Sequence, residues 1–156
     1  MTKDEGRIKK YWESFLRYAP EVEAAHTPYQ AWAFGNSPQI ADQLGDLVVQ
    51  GDKTATASLV WSYEAEDEPF PHVDDYHIIL DGKGIPICII RTTELIVVPF
   101  DEVDEVHAFL EGEGDRSLQY WREVHWAVYK DECLQIGREA QPDMPVLCEQ
   151  FVMVYK

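Results

Sequence analysis

The sequence predicts an α+β fold, a small and mostly antiparallel β-barrel with flanking and inserted helices. Three observations lead there. Strand patterns follow one another through hairpin signals, and helical patterns are inserted between them at particular points. The strands expected over residues 76–80 and 85–93 are almost continuously apolar, with Ile78, Ile79, Leu80, Ile87, Cys88, Ile89 and Ile90. Such strands are covered on both faces, which suits a wall wrapped by helices better than a sheet with one wet side.

Taken in order, residues 4–18 place Ile8, Tyr11, Trp12, Phe15 and Tyr18 at helical spacing, and Pro20 ends that helix. Residues 29–34 alternate as a strand and stop at Gly35-Asn36. Ser37-Pro38 reads as an N-cap with proline at the first helical position; the helix buries Ile40, Leu44, Leu47 and Val48, and Gly51 stops it. A strand carrying Lys53 and hydroxyl side chains then runs to about Trp61. Residues 64–75, with six acids and two prolines, read as a loop. The two apolar strands are joined across Asp81-Gly82-Lys83-Gly84, a hairpin signal, and residues 95–100 continue the wall until Pro99 turns it. Residues 101–110 form a short acidic helix. Asp115 caps another, with Leu118, Trp121, Val124, His125 and Val128 on one stripe, and residues 146–155 form the last strand.

A length of 156 residues, 46% hydrophobic with five Trp, fits one domain over 1–156 with a single core; residues 1–28 form an N-terminal helical extension. No apolar run approaches the ~20 residues that span a bilayer. The charged stretch Met1-Thr2-Lys3-Asp4-Glu5 leads into a helical pattern and does not resemble a signal peptide. Cys88, Cys133 and Cys148 lack metal-type spacing, and the default is a reduced cytoplasmic protein without disulfides. The formal net charge is −16, with 13 Lys+Arg against 29 Asp+Glu. Coating a nucleic-acid backbone takes several phosphate-neutralising cations. No extended nucleic-acid-coating surface is therefore expected; RNA or a small nucleotide or nucleoside ligand is to be met through a local cluster, through a metal ion bridging to the acid groups, or as a single nucleotide. No membrane partner is expected.

The local cluster suggested by the sequence is Gly51-Asp52-Lys53-Thr54-Ala55-Thr56-Ala57-Ser58, where a scarce cation meets three hydroxyls at a helix-to-strand corner. Desolvated, Lys53 would act as a general base on a hydroxyl or water; charged, it would stabilise an oxyanion or a phosphorane oxygen. Alternatively it pairs with a carboxylate at the helix end. Thr56 is a candidate nucleophile or substrate anchor. Residues three apart on a regular strand point to opposite faces, so the two meet only if Lys53 belongs to the turn after Gly51 or a bulge intervenes. Ser58 shares the strand face of Thr56.

In Glu111-Gly112-Glu113-Gly114-Asp115 the glycines free the backbone before a helix start, and Arg116 and Ser117 in the first turn would assist an anion. An acidic capping loop with Arg116 tied to its neighbours is the plainer alternative. The two glutamates and Asp115 would also suit Mg²⁺ or Mn²⁺, although so acidic a chain produces such clusters by chance. His107 and His125 read as hydrogen-bonded structural histidines or as proton carriers. Among the large aromatics, Trp32 and Tyr63 lie at element ends where a base could stack.

Three blocks in order resemble the ASCH domain family, a relative of the RNA-associated PUA fold. They are Gly51-x-Lys53-x-x-Thr56; Ile90-Arg91-Thr92-Thr93-Glu94 leading to Val98-Pro99-Phe100-Asp101-Glu102-Val103; and residues 111–118 continuing into Tyr120-Trp121-Arg122 and His125. The resemblance runs from about residue 32 to 155, and the first helix is similar to that of the longer bacterial branch. It implies a PUA-like barrel with a cleft facing RNA or nucleotide-like ligands. Some members of the family are ribonucleases, and small bacterial ones are amidohydrolases of acetylated cytidine. The resemblance assigns catalysis to a lysine, a threonine and a glutamate: Lys53 and Thr56 match directly, and either Glu111 or Glu113 fills the third place. A non-catalytic binding module in translation or transcription regulation is the alternative.

Overall fold

The computed structural model describes residues 4–156; residues 1–3, part of the charged N-terminal stretch, lie outside the described residues. The amphipathic pattern at the start forms helix α1 (Glu5–Tyr18), capped by the Asp4 side chain, which accepts from Arg7 N. It buries Ile8, Trp12 and Phe15. Pro20 ends α1 and also opens a short helix α2 (Pro20–Ala24), because the first helical turn needs no N–H from it. Strand β1 (Tyr29–Trp32) follows. Helix α3 (Pro38–Gln50) has the expected caps: the Ser37 hydroxyl accepts from Ile40 N, and Gly51 at φ 88° terminates it.

Strand β2 (Ala55–Leu59) is shorter than expected, because the chain turns into helix α4 (Val60–Glu66). Val60 and Trp61 are strand formers by composition, and tertiary packing overrides that preference. The loop expected from residue 64 therefore begins only after Glu66. The hairpin forms from β3 (Tyr76–Leu80) and β4 (Pro86–Pro99), with β4 running unbroken through the expected continuation. The acidic helix resolves into a 3₁₀ turn (Phe100–Glu102) and helix α5 (Glu105–Glu111), which is capped by Asp104. Helix α6 (Leu118–Gln135) is capped by Ser117, not Asp115. Arg116 at φ 65° bends the chain, and Asp115 Oδ1 accepts from Ser117 N, leaving the Ser117 hydroxyl to meet Tyr120 N. Strand β5 (Pro145–Tyr155) completes the chain.

The strands form one five-stranded mixed sheet in the order β1-β3-β4-β5-β2. The β1–β3 pairing is parallel and the other three are antiparallel. The expected barrel does not close. The edge strands β1 and β2 have only four and five residues, and a cavity lined by both lies between them in place of a hydrogen-bonded ladder. Burial on both faces holds for β3 and the first half of β4. On one face Ile78, Leu80 and Ile89 pack under α1; on the other Ile79, Cys88 and Ile90 join Phe34, Val48 and Phe151. A third cluster gathers Trp121 and Tyr129 of α6 with Leu59, Phe100, Met144 and Val146. The three cysteines are free and buried. Among the described residues no helix is long and apolar enough to cross a membrane.

Trp12 joins α1 to the sheet through ring contacts with Tyr29 and Tyr76 at centroid distances of 4.8 and 5.8 Å. Trp12→Ala should lower unfolding free energy by about 3–5 kcal/mol, measured by urea denaturation, because the vacated volume cannot collapse fully.

Candidate functional site

Gly51 reverses the chain at the end of α3, and the Asp52 and Lys53 amides both donate to Leu47 O, at 2.9 and 3.1 Å. Lys53 therefore belongs to the turn and not to β2, which removes the strand-face objection to its meeting Thr56. Its side chain runs inward and is 1% exposed. The amine donates to Ala55 O at 2.9 Å, Glu111 Oε1 at 3.2 Å and Glu113 Oε2 at 2.8 Å. Three close acceptors match the three hydrogens of an ammonium, so the charged form of Lys53 is the one this pocket is built to hold.

Glu111 is equally enclosed. Its Oε2 accepts from Trp121 Nε1 at 2.6 Å and lies 2.7 Å from His107 Nε2, while Oε1 faces Lys53 and sits 3.6 Å from His125 Nε2. Burial opposes its ionisation, but Lys53 and the hydrogen bonds from His107 and His125 outweigh burial and hold the carboxyl well below its ordinary range. His125 stacks on the Trp121 indole at 4.1 Å, and its Nδ1–H donates to Trp121 O at 2.8 Å. Burial pulls His125 down, yet its hydrogen bond and charge interaction with Glu111 raise it above the ordinary imidazole value. The geometry thus keeps Glu111 ionised and favours a proton on His125.

The loop after α5 is stitched to the lysine turn. Thr54 N donates to Leu110 O at 2.8 Å, and a Cβ on Gly112 would fall 2.2 Å from Asp52 O, so only glycine permits this approach. Arg116 donates to Asp52 O at 3.2 Å and Phe109 O at 3.1 Å, with its guanidinium 3.8 Å over the Phe109 ring. Arg116 is thereby engaged in clamping the loop, and Ser117 in capping α6. The tie reaches beyond Arg116's own neighbours, since Asp52 lies in the turn after α3.

Lys53, Thr56, Glu111, Glu113 and His125 all line one cavity of about 650 Å³. Trp32 and Tyr63 line an adjoining cavity of about 740 Å³. Thr56 and Ser58 form part of the wall common to both. Lys53 and Thr56 share the first cavity without a hydrogen bond between them among the described residues. Tyr129 escaped the sequence reading: its hydroxyl is buried in the first cavity with no hydrogen-bond partner among the described residues. His107, expected as a hydrogen-bonded or proton-carrying histidine, and Trp121, expected on a helix stripe, both bond Glu111. The spacings His107-x-x-x-Glu111 and Trp121-x-x-x-His125 carried the available signal, since residues four apart share a helix face. No three His, Cys, Asp or Glu side chains gather as a metal set among the described residues. Glu111 and Glu113 instead converge on the lysine amine, and Asp115 on a backbone amide, so these acids do not fit Mg²⁺ or Mn²⁺.

Glu111→Gln leaves a buried ammonium short of its counter-charge and should lower stability by about 3 kcal/mol at neutral pH. A depressed native pKa gives stabilisation that is present above the unfolded value and lost as pH falls through the native one. The gap between wild type and Glu111→Gln should therefore narrow on acidification below about pH 4.5, followed by urea melts. For His125 the sign reverses. Its raised pKa stabilises fully below about pH 6.5 and ceases to do so as pH climbs past the elevated native value, so the penalty of His125→Asn should shrink in alkali.

Comparison with known proteins places this arrangement among relatives. The family model for the ASCH domain matches residues 30–155. A crystal structure of an ASCH domain from Lactobacillus crispatus is 33% identical and superposes with a TM-score of 0.93, covering 97% of this chain and 96% of its own. One from an Enterococcus faecalis protein is 34% identical with a TM-score of 0.83, covering 96% and 89%. A third, of a hypothetical protein 15% identical, shares the fold at a TM-score of 0.52 over 81% of this chain and 100% of its own. No curated protein matches.

Proposed function

The chain belongs to the ASCH domain family, and from that membership and the geometry around Lys53 we propose that it hydrolyses an amide bond on a nucleoside-like ligand bound in the cleft. The observation that carries this reading is the enclosed ammonium of Lys53, fixed by two carboxylates within one cavity that also holds Thr56 and His125.

Water is the attacking group. Thr56 has no base hydrogen-bonded to it among the described residues, and an unassisted threonine hydroxyl is a poor nucleophile; it serves as a substrate anchor. Glu113 is the wetter of the two carboxylates, with its side chain 17% exposed against 2% for Glu111. Its Oε2 bonds Lys53, and Oε1 takes a proton from water as the water oxygen attacks the acyl carbon. As Glu113 is neutralised, the Lys53 hydrogen that bonded its Oε2 turns to the resulting oxyanion and stabilises it. The C–N bond then breaks, the amine nitrogen receives a proton from His125, and a carboxylic acid and a free amine leave. Glu113 returns its proton to the imidazole through solvent. Glu111, held ionised, orients Lys53 and His125 and carries no proton itself.

Electrostatics favours an uncharged substrate over RNA. The Lys53 cavity sets Lys53 and His125 against Glu111, Glu113, Asp131 and Glu132. Burial first, and the charges of Asp131 and Glu66 after it, push Glu132 up. A phosphodiester would add more negative charge, whereas an acylated exocyclic amine adds none.

Purified protein offered acetylcytidine should release cytidine and acetate, and short single-stranded RNA should persist with or without divalent metal. Lys53→Met should reduce kcat by 10²-fold or more, the scale of losing one oxyanion donor, while Thr56→Val raises KM chiefly. Chromatography of the products measures both. Ligand binding without any turnover by the wild type would favour a recognition module instead.

A further inference from the structure

The second cavity has a floor that this chemistry does not use. Trp32 Nε1 donates to His77 Nδ1 at 3.0 Å. An indole nitrogen is a donor only, so Nδ1 accepts and the proton of a neutral His77 sits on Nε2. Nε2 lies 3.2 Å from Thr92 Oγ1, and the threonine hydroxyl donates to Glu149 Oε2 at 2.5 Å. The chain of hydrogens runs one way, from Trp32 to Glu149. Burial lowers the pKa of His77 against the opposing pull of Asp75, in keeping with a neutral ring. A register shift between Thr92 and Glu94, where β4 pairs with β5, sits beside the Thr92–Glu149 contact.

This chain ends on an acceptor that no cation answers among the described residues. His77 Nε2 is 3.9 Å from Glu149 Oε2 and belongs to a neutral ring. Glu149 is 6% exposed and lines the cavity, and its Oε1 makes no hydrogen bond among the described residues. Burial pushes the carboxyl up despite the Thr92 hydrogen bond, with Asp75 adding to the rise. The indole N–H, the imidazole N–H and the threonine hydroxyl are already engaged, so Oε1 is left facing the cavity, open to water or to a hydrogen brought by a ligand.

We propose that the cavity between β1 and β2 is a base-reading subsite, in which Glu149 Oε1 accepts an N–H from an amino-bearing nucleobase and the Trp32–His77–Thr92 chain fixes that carboxylate in place. The volume, about 740 Å³, accommodates a nucleoside. Trp32, Phe34 and Tyr63 supply aromatic surface beside the carboxylate. An amino group flanked by a ring nitrogen presents hydrogens to Oε1. A dicarbonyl base presents two carbonyl oxygens around one N–H, and those oxygens repel a carboxylate. The common wall at Thr56 and Ser58 leaves a substituent on the base close to Lys53, which is where the inference rests on the proposed hydrolysis.

Calorimetric titration of wild type and Glu149→Gln with cytidine, adenosine and uridine tests the subsite, with acetylcytidine turnover followed separately. Wild type should bind cytidine or adenosine at least ten-fold more tightly than uridine. Glu149→Gln should lose that preference and raise KM for acetylcytidine more than it lowers kcat. Equal binding of uridine, an unchanged preference in the variant, or no nucleoside binding at millimolar concentration overturns the inference. If Glu149→Gln shows no cooperative thermal transition, the wild type decides: its Trp32 indole N–H resonance, assigned with Trp32→Phe, must shift on saturation with cytidine, and a fixed resonance overturns the proposal. Glu149-dependent base preference without turnover of acetylcytidine leaves the subsite standing and removes the hydrolase reading; turnover indifferent to Glu149→Gln does the reverse.

Discussion

The structure around the cleft is organised by the need to keep one buried ammonium solvated by protein. An amine removed from water is tolerated only when its hydrogens and its charge are both answered. Lys53 obtains this from the carbonyl of Ala55 and the carboxylates of Glu111 and Glu113. Those acids come from the end of α5 and the loop beyond it, so that segment must lie against the turn after α3. The left-handed Gly112, the Thr54–Leu110 hydrogen bond and the Arg116 clamp all serve this approach. One ion-pair cluster thus determines where two helix ends meet.

The same constraint sorts the acids and bases by role. Glu111 accepts from Trp121 and faces Lys53, His107 and His125, so releasing it from its charge would disturb four neighbours together. A group so constrained holds others in place better than it exchanges protons. Glu113 touches the same amine from the solvent side, which leaves one oxygen accessible. His125 is gripped at Nδ1 by a helix carbonyl and at its face by an indole, with Nε2 facing Glu111 Oε1 at 3.6 Å. Division of labour between a fixed carboxylate and an accessible one follows from depth alone.

Much of this organisation was legible in the sequence wherever a local rule decides the outcome. Ser37-Pro38 and Gly51 bound α3 because capping is settled within a few residues. The apolar runs of β3 and β4 announced two-sided burial because side-chain composition reports it directly. Helix α4 was hidden, since Val60 and Trp61 carry strand preference and only packing against neighbours reverses it. Capping of α6 moved from Asp115 to Ser117 because a positive φ at Arg116 is a backbone choice that no side-chain pattern encodes. At the site, the choice between Glu111 and Glu113 dissolved, because the turn brings both to the amine. The His77–Thr92–Glu149 chain left no trace in local spacing, since its members come from three strands and meet only through register.

Closure of the sheet was the other non-local question, and its failure has a chemical consequence. Pairing β1 with β2 would place a backbone ladder where both edges now line a cavity. An open edge elsewhere on a protein invites pairing with another chain; here each edge faces the other across a space bordered by hydroxyls, aromatic rings and Glu149. The opening joins a region containing an enclosed cation to one containing the Glu149 carboxylate, with Thr56 and Ser58 between them. A polyanion gains little in such a space, because its charge meets acids on both sides. On the proposed reading, a flat, neutral molecule would set its hydrogens toward Glu149 and its carbonyl toward Lys53, a match of chemistry that cavity volume alone does not supply.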